Sequence, residues 1–393
     1  MTAVAGMVQP RVRGAAAQPW LHSARWDLSL LILSVLIAAI PYSIYILFGG
    51  QALEAASVKG TAAYNARLLV NNLVALFIGG PHMYATFTRT IMDRDFLRKR
   101  FWFIASSVLV PITVITMAVL SYETYVWLLS IFFALASLHA LQQIIWLTEA
   151  YNLKARLAMS LKSRLIDYGV VLTSLYPIAV YKMVRGEFKI GPVELKYNAI
   201  IAGWTWLAAL VAIVFAVMLV LFIAKTYLEY RAGYVNAPKT LLISLTVLLM
   251  FWTPMFPNMD TAFQGVNTWH SFQYLALTWY ANRLREQKTG RRVGFLHWLS
   301  QPRGEGSGLI GRIVNGLRKV DRDTGWTTFY MVCLAMLPIS GLLLTSGLML
   351  WPNLHPGKPG ADEVYSYMGI LSILIVHYVH DALLFTDSRA IVE

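Results

Sequence analysis

The chain has 393 residues, 57% of them hydrophobic and 13% charged, with a formal net charge of +13. Its mean hydropathy is strongly positive, which excludes an ordinary soluble globule and marks a polytopic membrane protein. The single cysteine, Cys333, excludes an internal disulfide and any thiolate or iron–sulfur centre, and the positive charge reads as basic loops facing anionic lipid, with no nucleic-acid partner expected.

In chain order, Met1 to Arg25 is polar and mildly basic without a signal-peptide pattern, and the first apolar run is long enough to span and stay. Apolar windows predict spanning helices at Leu28–Phe48, Arg67–Phe87, Phe101–Leu120, Tyr125–Leu147, Leu165–Val184, Ile200–Ala224, Thr240–Phe256, Thr261–Ala281, Trp326–Leu350 and Val364–Phe385, about ten in all. Pro254 and Pro257 end the seventh, and only Pro257 to Asp260 separates it from the eighth, a tight helical hairpin. The expected fold class is all-α: a polytopic transmembrane helix bundle forming one integral membrane domain over residues 1–393.

Orientation follows from Lys and Arg. Arg11, Arg13 and Arg25 precede the first span, and Arg89, Arg94, Arg98, Lys99 and Arg100 follow the second. Lys154, Arg156, Lys162 and Arg164 follow the fourth, and Lys225, Arg231 and Lys239 follow the sixth. Arg283, Arg285, Lys288, Arg291 and Arg292 follow the eighth. The alternate loops are poorer in basic residues, so both termini are expected in the cytoplasm, and the membrane is expected to be a bacterial inner membrane. The longest polar loop, 282–323, contains a Gly304–Gly308 break between two short amphipathic pieces, Phe295–Leu299 and Leu309–Lys319, expected to lie on the cytoplasmic face.

The histidines carry the chemistry. His22, His297 and His355 fall in terminal or loop segments and read as solvent or interfacial residues. His82, His139, His270, His377 and His380 fall inside the second, fourth, eighth and tenth spans. Those spans run in the same direction, and the five rings are expected in one layer of the cytoplasmic half of the bilayer. Ionisable groups at that depth are costly and are paired, metal-bound or functional. His139-Ala140-Leu141-Gln142, His270-Ser271-Phe272-Gln273 and His377-Tyr378-Val379-His380 each place a second polar group about one helical turn on. Gln142, Gln273 and Asp381 are therefore candidates to support a ligating ring through its other nitrogen. Gly79-Gly80-Pro81-His82 predicts a loosened or kinked helix just before His82. Imidazoles without thiolates suit iron, copper or zinc. The bland alternative is that these histidines hydrogen-bond helix to helix and bind nothing.

Gly80-Pro81-His82 and the later intramembrane histidine motifs resemble the bacterial membrane-bound β-carotene-cleaving dioxygenases of the Brp/Blh type. The likeness covers short motifs only. It implies non-haem iron held by histidines and a lipophilic, carotenoid-like substrate. On that basis the expected function is a metal-dependent membrane oxygenase or oxidoreductase. His82, His139, His270, His377 and His380 are its candidate ligands, and Tyr84, Tyr274 or Tyr378 its candidate proton or hydrogen-bond donor. A haem protein with axial histidines and a transporter with intramembrane histidines are the competing expectations. The expected partners are the lipid bilayer and the lipophilic substrate.

Overall fold

The computed structural model describes residues 19–50, 58–155, 157–256, 259–289 and 325–386, with a few single residues and pairs beside them. His297, the Gly304–Gly308 break and most of the two amphipathic pieces lie outside the described residues. Helices dominate. Among the described residues β structure is confined to two short ladders, Arg11–Val12 with Leu157–Ala158 and Lys189–Ile190 with Val193–Glu194.

Among the described residues eight helices are long and apolar enough to cross a bilayer. They are α1 (Ala24–Gly49), α2 (Ala62–Arg89), α3 (Phe101–Leu120), α4 (Tyr122–Lys154), α7 (Thr205–Arg231), α8 (Ala237–Met255), α10 (Trp326–Leu350) and α11 (Ala361–Leu384). The two other expected spans are helical but of a different kind. The fifth is divided into α5 (Leu161–Thr173) and α6 (Tyr176–Val184), with Pro177 in the first turn of α6. Proline is tolerated there because the missing N–H would have no intrahelical acceptor. The eighth is part of α9 (Met259–Thr289), whose Thr261, Thr268, His270, Ser271, Gln273 and Thr278 lower its hydropathy yet are all buried.

Contacts divide the chain into two units, one of Met1–Asn71, Val126–His270 and Phe385–Glu393, the other of Asn72–Tyr125 and Ser271–Leu384. In the first, α7 packs on α5 and α6, and α8 packs on α5 and the start of α1. Asp27, near the start of α1, accepts from the backbone N–H of Leu21 at 2.7 Å and from the Tyr151 hydroxyl at 3.1 Å. Charges buried in this unit are matched. Asp167 takes Lys225 at 2.8 Å and Lys239 at 3.0 Å, Lys225 also meets Glu229 at 2.9 Å, and Arg67 pairs with Asp260 at 2.5 Å.

In the second unit α11 packs against α10, α3 and the end of α2. Glycine permits the closest approach, since a Cβ on Gly369 would stand 2.7 Å from the Ser340 carbonyl oxygen. The expected irregularity in α2 is a π-helical stretch, Ala75–Gly79, ending just before Gly80-Pro81. Pro81 has no N–H to give, and its ring displaces the carbonyl four residues back, that of Phe77. The Tyr330 hydroxyl donates to that freed carbonyl at 2.6 Å. Gly80 has no room for a side chain, because a Cβ there would collide with Leu337 and the Ala75 carbonyl. Gly79, Gly80 and Pro81 thus widen α2, dock it on α10 and aim the ring that follows.

Candidate metal centre

In the second unit, α2, α9 and α11 bring a polar cluster together in an otherwise apolar interior. His82 and His377 are buried, with ring centroids 4.6 Å apart and planes at 81°, edge to face. Tyr274 packs edge-on against both, at 5.7 Å from His82 and 5.0 Å from His377. His82 Nδ1 is 2.5 Å from the Gly79 carbonyl oxygen. A carbonyl only accepts, so Nδ1 carries the proton and Nε2 is the nitrogen able to bind a metal. The widened turn that Gly79-Gly80-Pro81 creates therefore sets the tautomer of the histidine it precedes.

Thr86, one turn beyond His82, is the hub. Its Oγ1 lies 2.6 Å from the Tyr274 hydroxyl, 2.5 Å from His377 Nδ1 and 2.9 Å from Asp381 Oδ1. Tyr274 also donates to Asp381 Oδ1, at 2.7 Å. Each hydroxyl has one proton, so beside an ionised Asp381 only two of the three contacts among Thr86, Tyr274 and Asp381 are hydrogen bonds at a time. Tyr274 and Thr86 both donate to the carboxylate. Thr86 then has only lone pairs left for His377, so His377 Nδ1–H donates to Thr86 and its Nε2 is the nitrogen able to bind a metal. Asp381 Oδ2 is 3.6 Å from that Nε2, one helical turn along α11. His377 thus has ligand atoms within 4.8 Å of those of His82 and of Asp381. Both imidazoles present Nε2 while Nδ1 is held by a carbonyl or a hydroxyl, the arrangement that orients metal-binding histidines. An unmade hydrogen bond costs about 1–3 kcal/mol for each buried group, so this network is a strong constraint on ring orientation.

Two other expected site residues of this unit, His380 and Tyr84, have other partners. His380, expected as a ligand, has Thr90 Oγ1 3.2 Å from Nδ1 and Ser107 Oγ 3.1 Å from Nε2. Three residues on from His377 its ring is turned away, and both nitrogens are engaged by hydroxyls, so it serves helix packing. Tyr84, expected as a donor at the site, instead bonds Ser340 Oγ at 2.7 Å and accepts from its backbone N–H at 3.1 Å. It lies two residues from His82, on a different face of α2. Tyr378 is half-buried beside His377, with ring centroids 5.6 Å apart. Gln273 is buried. His355, read as a solvent or interfacial residue, donates from Nε2 to the Ala118 carbonyl at 2.7 Å and stacks on Tyr125.

The first unit holds the other imidazole pair. His139 on α4 and His270 on α9 are buried, with centroids 5.0 Å apart and planes at 79°. Phe385 packs beside His139 at 6.0 Å and beside Trp146 at 5.1 Å. Gln142, the expected supporting amide, is half-buried, whereas its neighbour Gln143 is fully enclosed. One position on a helix turns a side chain by about 100°, and that is the whole difference.

Sequence reasoning missed Thr86. Its signal was present as the four-residue spacing from His82, which puts both on one face of α2. Comparison with known protein families, with curated proteins and with solved structures finds no match for this chain.

Proposed function

We propose that this chain is a metal-dependent membrane oxygenase or oxidoreductase acting on a lipophilic substrate, with non-haem iron held by buried imidazoles. The observation that carries the reading is the His82–His377 pair. The two rings stand edge to face at 4.6 Å, with Nδ1 of each tied to Gly79 or Thr86. Two imidazoles beside one carboxylate, Asp381, are the donor types that favour ferrous iron in oxygen-using enzymes. His139 and His270 are proposed as ligands on the same grounds of burial and pairing. A bound iron would supply dioxygen activation and electron transfer. The chain's own contribution is to fix both Nε2 atoms, hold Asp381 through two hydroxyl donors and keep Tyr274 as a proton or hydrogen-bond donor beside them.

The lipophilic substrate is supported by where these residues sit, on helices built to cross a bilayer. The resemblance to the carotenoid-cleaving dioxygenases points to a carotenoid-like molecule. Axial haem ligation by His82 and His377 is disfavoured, since a macrocycle would have to pass between rings 4.6 Å apart. The proposal includes ten crossings, with α5–α6 and α9 added to the eight apolar helices, and both termini in the cytoplasm of a bacterial inner membrane. A C-terminal reporter active only on the outer face would overturn that orientation.

The test is elemental analysis and a visible spectrum of the purified full chain. The expected result is iron near about one atom per chain, with no Soret band. Absence of metal after reconstitution with ferrous iron overturns the reading, and a Soret band replaces it with a haem protein.

A further inference from the structure

We propose that Arg89, at the end of α2, binds the oxyanion head, a carboxylate or a phosphate, of an amphiphilic ligand whose tail lies in the bilayer. The inference goes beyond the metal reading and stands without it.

Arg89 continues the stripe of α2 that carries the polar cluster. His82, Thr86 and Arg89 are spaced at i, i+4 and i+7, one face of a helix. The residue is half-buried, but its Nε and Nη1 are closed off from solvent and meet no hydrogen-bond acceptor among the described residues. Arginine near a membrane surface normally extends its head to water. This guanidinium instead keeps two of its nitrogens inside.

Its neighbours do not neutralise it. Arg285 on α9 is near enough for the two like charges to repel, and the Tyr274 hydroxyl is also within electrostatic reach. Arg285 has its own counter-ions, since Nη1 pairs with Asp93 and Nη2 lies 3.2 Å from Asp95 Oδ2. Asp93 is further committed to capping the following short helix through the N–H groups of Asp95 and Phe96, at 3.1 and 3.2 Å. The Asn282 amide donates to Thr88 at 3.0 Å and fixes the end of α2 against α9. Among the described residues, two of the Arg89 guanidinium nitrogens therefore meet no acceptor, and the carboxylates of Asp93 and Asp95 are already used by Arg285. A planar fork of N–H donors in such a place matches a carboxylate or phosphate edge. The tail of the ligand follows from the setting, because α2 and α11 cross the apolar layer.

The oxyanion could belong to a membrane lipid or to a free amphiphile, and the experiment separates them. The purified full chain, in nanodiscs of phosphatidylcholine, is titrated with inorganic phosphate and with palmitate, and is separately prepared in nanodiscs containing phosphatidylglycerol. The readouts are Tm and bound palmitate. Palmitate raising Tm identifies a free amphiphile, and phosphatidylglycerol alone raising it identifies a lipid head group. Either effect is expected to vanish in Arg89→Gln and to weaken about tenfold in Arg89→Lys, which keeps the charge and loses the fork. Metal content should be the same in wild type and both variants, so a failed metal reading leaves this result intact. The proposal is overturned if neither amphiphile stabilises the wild type, if phosphate alone acts as strongly as both, or if Arg89→Gln responds like wild type. Should Arg89→Gln not fold, full retention of binding by Arg89→Lys overturns the bidentate site, and a loss in the lysine variant supports it.

Discussion

The two units bury ionisable groups in opposite ways. In the first, Asp167, Lys225, Glu229 and Lys239 form a set with equal numbers of acids and bases, and Arg67 has Asp260. Each of these charges has an opposite charge at contact distance, which is what a low-dielectric interior demands of groups that only hold helices together. In the second unit, His82, His377, Asp381, Tyr274 and Thr86 share hydrogen bonds and ring contacts. The first arrangement is complete without a ligand. The second gathers lone pairs in an apolar interior, which is where the proposed cation would sit.

Breaking each arrangement should therefore have a different signature. The largest effect expected is loss of metal. His377→Ala and His82→Ala should each reduce iron per folded chain by orders of magnitude, since removing one of the few ligands removes most of the affinity. Retention of full metal with only an earlier melt would make these histidines helix glue. Asp167→Ala should do the reverse. It strands Lys239 and leaves Lys225 with Glu229 alone, and is expected to cost about 3–5 kcal/mol of stability while iron per folded chain is unchanged, measured by melting beside elemental analysis.

Thr86→Val comes next. It preserves shape but removes the acceptor for His377 Nδ1 and a donor to Asp381, and should weaken metal binding about 10–100-fold, read by chelator competition. Equal affinity in wild type and variant would show that the hydroxyl hub does not orient the ligands. The smallest effects belong to residues turned away from the cluster. His380→Ala and Tyr84→Phe should lower stability by about 1 kcal/mol through lost hydrogen bonds and leave metal content alone; a metal deficit in either would put that side chain at the centre.

Chain composition alone determined that this is a helical membrane protein, because apolar segments of that length have no other way to satisfy their backbone. It also determined that histidine, not cysteine, is the resource for any metal, and that α2 is irregular before His82, since Gly80 and Pro81 act through local sterics. Tertiary structure decided the rest. Helical spacing made His377 and His380 look equivalent, yet only packing could give one ring to Thr86 and the other to Thr90 and Ser107. The same holds for the tyrosines: Tyr84 and Tyr274 are both buried, and which one meets Asp381 depends on where α9, α10 and α11 come to rest. A hydropathy window could not recognise α9 as a buried polar helix, because its burial is conferred by neighbours rather than by its own residues. Thr86 was legible only in retrospect, since a threonine in an apolar helix becomes a hub when three other helix-borne groups converge on it, and that convergence is long-range information the local sequence does not carry.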